Sequence, residues 1–132
     1  MKSSSGKKIL IIATLCIFAF IMMNSAFGSA SYSFSGAVHS LLKKFGIEIT
    51  EFNLRKLAHL TEYALLGFFL MLLLRKKKFG FLLVLLLGAA TATADELIQT
   101  LSPFRHALVR DVLLDVAGTG MGAASVALIL FF

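Results

Sequence analysis

The chain has one cysteine, one proline and no tryptophan in 132 residues, and only 15% of it is charged. Cys16 therefore has no partner for an internal disulfide or a thiolate metal site, and its place in an apolar run reveals nothing about redox compartment. Charge is confined to short islands, which leaves too little polar sequence for a second, water-soluble domain. A nucleophile elbow, a zinc-binding helix motif and a phosphate-cradling glycine loop are all missing. There is no internal repeat. What the chain has in excess is apolar residues, 58% of the total, where an ordinary soluble domain has about 45–50%. Lipid is the solvent that suits this composition. The net charge of +6 suggests a nucleic-acid partner at first sight. The basic residues stand between apolar blocks, however, not on a polar face. They read as topology signals and headgroup contacts, and no nucleic acid is expected.

A bilayer core of about 30 Å, crossed at about 1.5 Å per residue, needs about 20 apolar residues. Four stretches qualify: 9–27, 57–74, 79–98 and 112–132. The expected fold is all-α, an integral membrane bundle of about four transmembrane helices forming one domain over 1–132. Arg75-Lys76-Lys77-Lys78 joins the second and third spans as a tight hairpin. These residues share a side with Lys2, Lys7 and Lys8 of the basic start, 1–8. By the positive-inside rule that side is the cytoplasm, which makes 28–56 an extracytoplasmic loop. All seven acidic residues and all three histidines then lie toward the outer side. The first span has a rival reading as a secretory signal with a cleavage site near Gly28-Ser29-Ala30. Its apolar run is longer than the usual stretch of about 7–15 residues, which favours a retained helix.

Within 28–56, the Ser-rich start 29–35 reads as loop. Ala37, Val38, Leu41, Leu42 and Phe45 then recur at helical spacing, with His39, Lys43 and Lys44 turned away. This is either a short amphipathic helix on the membrane surface or a cap packed on the bundle.

Polar residues interrupt the last three spans in register. Arg55, His59 and Glu62 stack on one helical face, flanked by Lys56 and Tyr63. Glu62 lies about 10 Å along the axis from Arg55 at about 1.5 Å per residue, below the headgroups. An ionised carboxylate at that depth costs several kcal/mol unless paired, so it should face the bundle interior. On the third span, Gly88, Ala92, Asp95 and Gln99 share a face, and small residues there let another helix approach closely. Glu96 is one position round, expected closer to water. Asp111 and Asp115 stand one turn apart on the fourth span, with Gly118 and Gly122 below as packing positions. Ser102-Pro103-Phe104-Arg105 marks the preceding turn, and Arg105, His106 and Arg110 keep that loop basic. Two explanations fit the constellation. It is either an ion-pair network that fixes helix register or a site, the usual meaning of intramembrane ionisable groups. The carboxylates outnumber the buried cations. A site of this kind would bind a divalent cation, hold a proton or pair with a basic ligand.

Arg55-Lys56, Ala58-His59, Glu62-Tyr63 and Leu66-Gly67 together resemble the R-K-x-A-H-x-x-E-Y-x-x-L-G signature of the VanZ-like membrane protein family. Asp95-Glu96, Gln99, Pro103, Arg105, Asp111-Val112, Asp115, Gly118 and Gly122 resemble its second signature, D-E-x-x-Q…P-G-R…D-V-x-x-D-x-x-G-x-x-x-G. The likeness covers 55–122. One departure is the turn, where Phe104 follows the proline in place of glycine and the residues after it are bulkier and more apolar.

The resemblance implies a bacterial cytoplasmic-membrane protein of the cell envelope. The family's namesake is associated with reduced susceptibility to teicoplanin-type glycopeptides, and the resemblance assigns no reaction or cofactor. The leading expectation is a non-enzymatic protein that binds membrane lipids or lipid-linked cell-wall intermediates at the outer leaflet. Arg55, Lys56 and Arg105 would meet phosphates. The alternative is a membrane-embedded hydrolase or transferase acting on a lipid-linked substrate, with His59 or Glu62 as base and aspartates on a divalent metal. An ion-coupled transporter would need oligomers, because four short spans leave little room for a path. The glycine face of the last span permits oligomers.

Overall fold

A computed structural model describes residues 2–101 and 106–131, and all the regular structure among them is helical. The order is α1 (Lys2–Ala26), α2 (Gly28–Lys44), α3 (Glu51–Leu74), α4 (Gly80–Gln99) and α5 (Val109–Phe131). α1, α3, α4 and α5 are long and apolar enough to cross a bilayer, which gives a multi-pass membrane protein with four spanning helices. α2 is the short non-spanning helix between the first two spans.

The apolar side chains follow the solvent. Large hydrophobics such as Ile12, Phe20, Leu86 and Ile129 stay more than half exposed. That would be costly in water but is the proper state of a surface against acyl chains. The buried set is small: Ile21, Tyr63, Leu66 and Ala92 form the central cluster, with Val112 and Leu70 against it. Helix association in lipid depends on close contact of backbones, because apolar surface gains nothing by leaving hydrocarbon. α3 and α5 achieve it with small residues. A methyl group at Gly122 would fall on the Ala64 carbonyl, and one at Gly67 on the Thr119 carbonyl. Gly88 of α4 likewise faces the Thr119 side chain.

Helix ends follow local chemistry. Thr50 caps α3 by accepting the Asn53 N–H at 3.2 Å, and Glu51 stands in the first turn, where the helix dipole favours an anion. α3 thus begins at Glu51, ahead of its apolar run. α2 ends at Lys44, and Gly46 just beyond it takes a φ of 75° that suits glycine, with the Gly46 N–H donating to the Lys43 carbonyl at 3.1 Å. Lys43 and Lys44 occupy its last turn.

The expectation of a loop at 29–35 is corrected. Helix α2 starts at Gly28, separated from α1 by Phe27 alone (φ −104°, ψ 51°). Serine is only mildly unfavourable in a helix, and its hydroxyl can bond back to the preceding turn, as Ser40 does to the Gly36 carbonyl at 3.0 Å. The packing of α2 is intermediate between the two readings. It touches α1 and the beginning of α3, with His39 Nδ1 3.7 Å from Glu51, while Leu41 remains 54% exposed.

Candidate functional site

Four helices bring polar side chains to one end of the bundle, opposite the basic α3–α4 turn. The i, i+4 and i+7 pattern of α3 puts Arg55, His59 and Glu62 on its inner side, α4 adds Asp95, Glu96 and Gln99, and α5 adds Asp111 and Asp115. These residues divide into an inner group, a lateral pair and a rim.

The inner group is His59, Asp95 and Asp115. His59 Nδ1 lies 3.8 Å from Asp95 Oδ2 and 3.8 Å from Asp115 Oδ1. One potential ligand atom from each of the three lies within 4.8 Å of the others, close enough for a divalent cation. Asp95 is 0% exposed and Asp115 is 1% exposed. Gln99 Nε2 donates to Asp95 Oδ2 at 3.1 Å and to Ser25 Oγ at 3.3 Å, and the Ser25 hydroxyl donates to Asp95 Oδ1. The Asp115 carboxylate differs: both of its oxygens are buried without a hydrogen-bond partner, as is the Tyr63 hydroxyl.

The lateral pair is Glu62 with Asn24, whose amide donates to Glu62 Oε1 at 2.9 Å. Beside it runs an open groove of about 340 Å³, lined by Leu54, Leu57, Ala58, Thr61, Glu62 and Leu65. The groove is apolar except for Thr61 and the Glu62 carboxylate, and it faces the lipid side of α3. Asn24→Ala would leave that carboxylate half-buried without the amide. It is expected to cost about 1–3 kcal/mol, read as a lower thermal midpoint in detergent, with Asn24→Asp costing more through like-charge repulsion.

The rim is Lys56 with Asp111, 3.3 Å apart. The Lys56 ammonium also stands 4.6 Å from the Phe52 ring centre. Arg55 is half-buried on the same face of α3. Arg105 and the turn at Pro103 lie outside the described residues.

Two features went unseen in the sequence. Glu96 is 4% exposed, not turned toward water, and the Leu108 N–H, just before α5, donates to Glu96 Oε2 at 2.9 Å. The contribution of α1 was missed as well. Thr14, Ile21 and Ser25 are its buried positions, spaced by seven and four, so Ser25 lies on the face that meets the bundle. Asn24 and Ser25, the polar break near the end of an apolar run, were the signal that could have revealed it.

The family model of VanZ/LLP1 matches residues 10–131 of the chain. None of the curated proteins matches, and none of the solved structures does.

Proposed function

The chain belongs to the VanZ/LLP1 family, and from that premise we propose that it is a bacterial cell-envelope protein that binds the polar headgroup of a membrane lipid or lipid-linked cell-wall intermediate at the outer leaflet. The observation that carries this reading is the pairing of a lipid-facing apolar groove with a buried polar cluster. The groove along Leu54, Leu57, Ala58, Thr61 and Leu65 takes in the Glu62 carboxylate, and its volume is near the small end of ligand pockets, about 300–1,000 Å³. It suits an acyl chain lying along α3 with its headgroup turned toward the cluster. Lys56 and Arg55 at the rim supply cations for a phosphate, once Lys56 exchanges its Asp111 partner for the ligand.

Orientation supports the outer leaflet. The α3–α4 turn carries four consecutive basic residues and the α1 start carries Lys7 and Lys8, so by the positive-inside rule both read as cytoplasmic and the cluster as outward. Glycopeptides of the teicoplanin type insert an acyl chain into that same leaflet. Altered lipid or drug partitioning there would lower susceptibility.

The test is expression in a susceptible Gram-positive host at matched membrane levels. Wild type is expected to raise the teicoplanin inhibitory concentration several-fold and the vancomycin value less. Glu62→Gln and Asp95→Asn are expected to bring it back to baseline. Variants that keep the full phenotype would make the cluster structural.

A second reading is favoured by the convergence of His59, Asp95 and Asp115: a hydrolase or transferase acting on a lipid-linked substrate. It requires turnover. A lipid product that accumulates only with wild type, seen by mass spectrometry of the same membranes, would replace the binding role with a catalytic one.

A further inference from the structure

We propose that His59, Asp95 and Asp115 form a divalent-metal site. Three helices meet at it, so its ligands are far apart in sequence but converge in space. Ligand atoms about 2.0–2.2 Å from a shared four-coordinate ion stand about 3.3–3.6 Å from one another. The imidazole, 3.8 Å from each carboxylate, needs to close by a few tenths of an ångström, and the two carboxylates, no more than 4.8 Å apart, need to close by at most about 1.5 Å.

The unpartnered Asp115 carboxylate points to an ion at this place. The other two buried carboxylates of the cluster have neutral donors, Glu96 the Leu108 N–H and Asp95 both Ser25 and Gln99, and the half-buried Glu62 has Asn24. Asp115 has none at either oxygen, although it is 1% exposed and aimed at His59. Buried carboxylates are normally paired or coordinated to metal. An imidazolium at His59 would offset one negative charge of two, whereas a divalent ion offsets both and leaves the imidazole neutral.

The support around the ligands fits the same role. Metal-binding carboxylates are held by outer hydrogen bonds, and Ser25 and Gln99 hold Asp95 in that way. One nitrogen and two carboxylate ligands suit zinc or manganese better than calcium or magnesium, whose sites are all oxygen. Three protein ligands leave a coordination position open, the arrangement of sites that bind water or substrate. Tyr63, one turn from His59 on α3, offers a buried hydroxyl with no other partner to an oxygen held there. This inference deepens the headgroup reading, since a lipid phosphate oxygen would take the open position, but the metal site does not depend on that reading.

The full chain, purified in detergent and stripped by chelator, is to be titrated with zinc and with manganese, and the bound metal counted by elemental mass spectrometry. One ion per chain is expected. Asp115→Asn and His59→Ala are expected to weaken binding by more than about 100-fold. Ser25→Ala, which removes only a supporting bond, should weaken it by about 10–100-fold. Glu48→Gln, at an exposed carboxylate away from the cluster, should bind as wild type does. Should the ligand variants misfold, cobalt loading of wild type gives a second readout, with ligand-field bands of nitrogen and oxygen coordination that zinc displaces. A wild type that takes up no metal, or Asp115→Asn with unchanged affinity, overturns the site. The headgroup reading is tested separately, by binding of the loaded protein to vesicles of phosphatidylglycerol and of a phosphate-free glycosyldiacylglycerol. Metal bound with no preference for the phospholipid leaves the site standing and removes the phosphate role.

Discussion

Gly122→Val is expected to eliminate most of the folded protein from detergent extracts while leaving the amount inserted in the membrane little changed. Any side chain at Gly122 meets the Ala64 carbonyl, with the Phe68 backbone nitrogen 2.9 Å from the added carbon. Both are backbone of the facing helix, so no rotamer change relieves the clash and α5 must move off α3. Overpacking typically costs about 1–3 kcal/mol, occasionally more. The loss falls on the closest helix pair of a bundle that has no hydrophobic drive to hold it together. Insertion depends on hydropathy, which valine does not lower. Gly120→Ala is the control, because the carbon it adds meets only the end of Leu85 at 3.4 Å. Size-exclusion profiles after graded heating would compare the two. A Gly122→Val protein as heat-resistant as Gly120→Ala would mean that α3 and α5 are not packed backbone to backbone.

The second large effect concerns α1. An epitope tag placed before Lys2 is expected to remain on the membrane-embedded protein, and a form lacking residues 2–27 is expected to lose its fold. Ile21 is 1% exposed and belongs to the central cluster. Without α1, Glu62 loses Asn24, and Asp95 loses Ser25. Glu62 would then lack its amide donor and Asp95 would keep Gln99, and a buried carboxylate short of partners costs up to several kcal/mol. Immunoblotting for the N-terminal tag, with thermal unfolding of the shortened chain, tests both statements. A tag released from a stable, folded remainder would restore the signal-peptide reading of the first span.

The four spans were legible because hydrocarbon imposes its thickness on the sequence, and 57–74 and 79–98 needed only length and composition to be found. The polar stripe of α3 was legible by helical periodicity alone. The partners of that stripe were not. Periodicity puts His59 and Glu62 on one face, but it does not say that His59 meets Asp95 and Asp115 while Glu62 turns to Asn24. That division depends on how α1 and α5 are rotated, which is decided by small residues such as Gly118 and Gly122 at the contact. Glu96 was misjudged for a related reason: it is held by the Leu108 N–H from just before α5, a tertiary contact with no local signal. The serines of α2 show the limit of composition, since a stretch rich in loop-forming residues is held helical between two helices that position it.

The close pairing of α3 with α5 also bears on how the protein is made. α5 is synthesised after α3 and α4, so His59 and Asp95 enter the membrane before Asp115 exists. From Glu62 to Gly122 the ribosome adds roughly 60 residues, which takes about 3–12 s at about 5–20 residues per second. Throughout that interval the α3–α4 hairpin is a half-built bundle, with its small-residue face open and its buried polar groups lacking one wall. The yield of folded protein is therefore expected to depend on the tempo of synthesis, a variable that no contact in the finished bundle records.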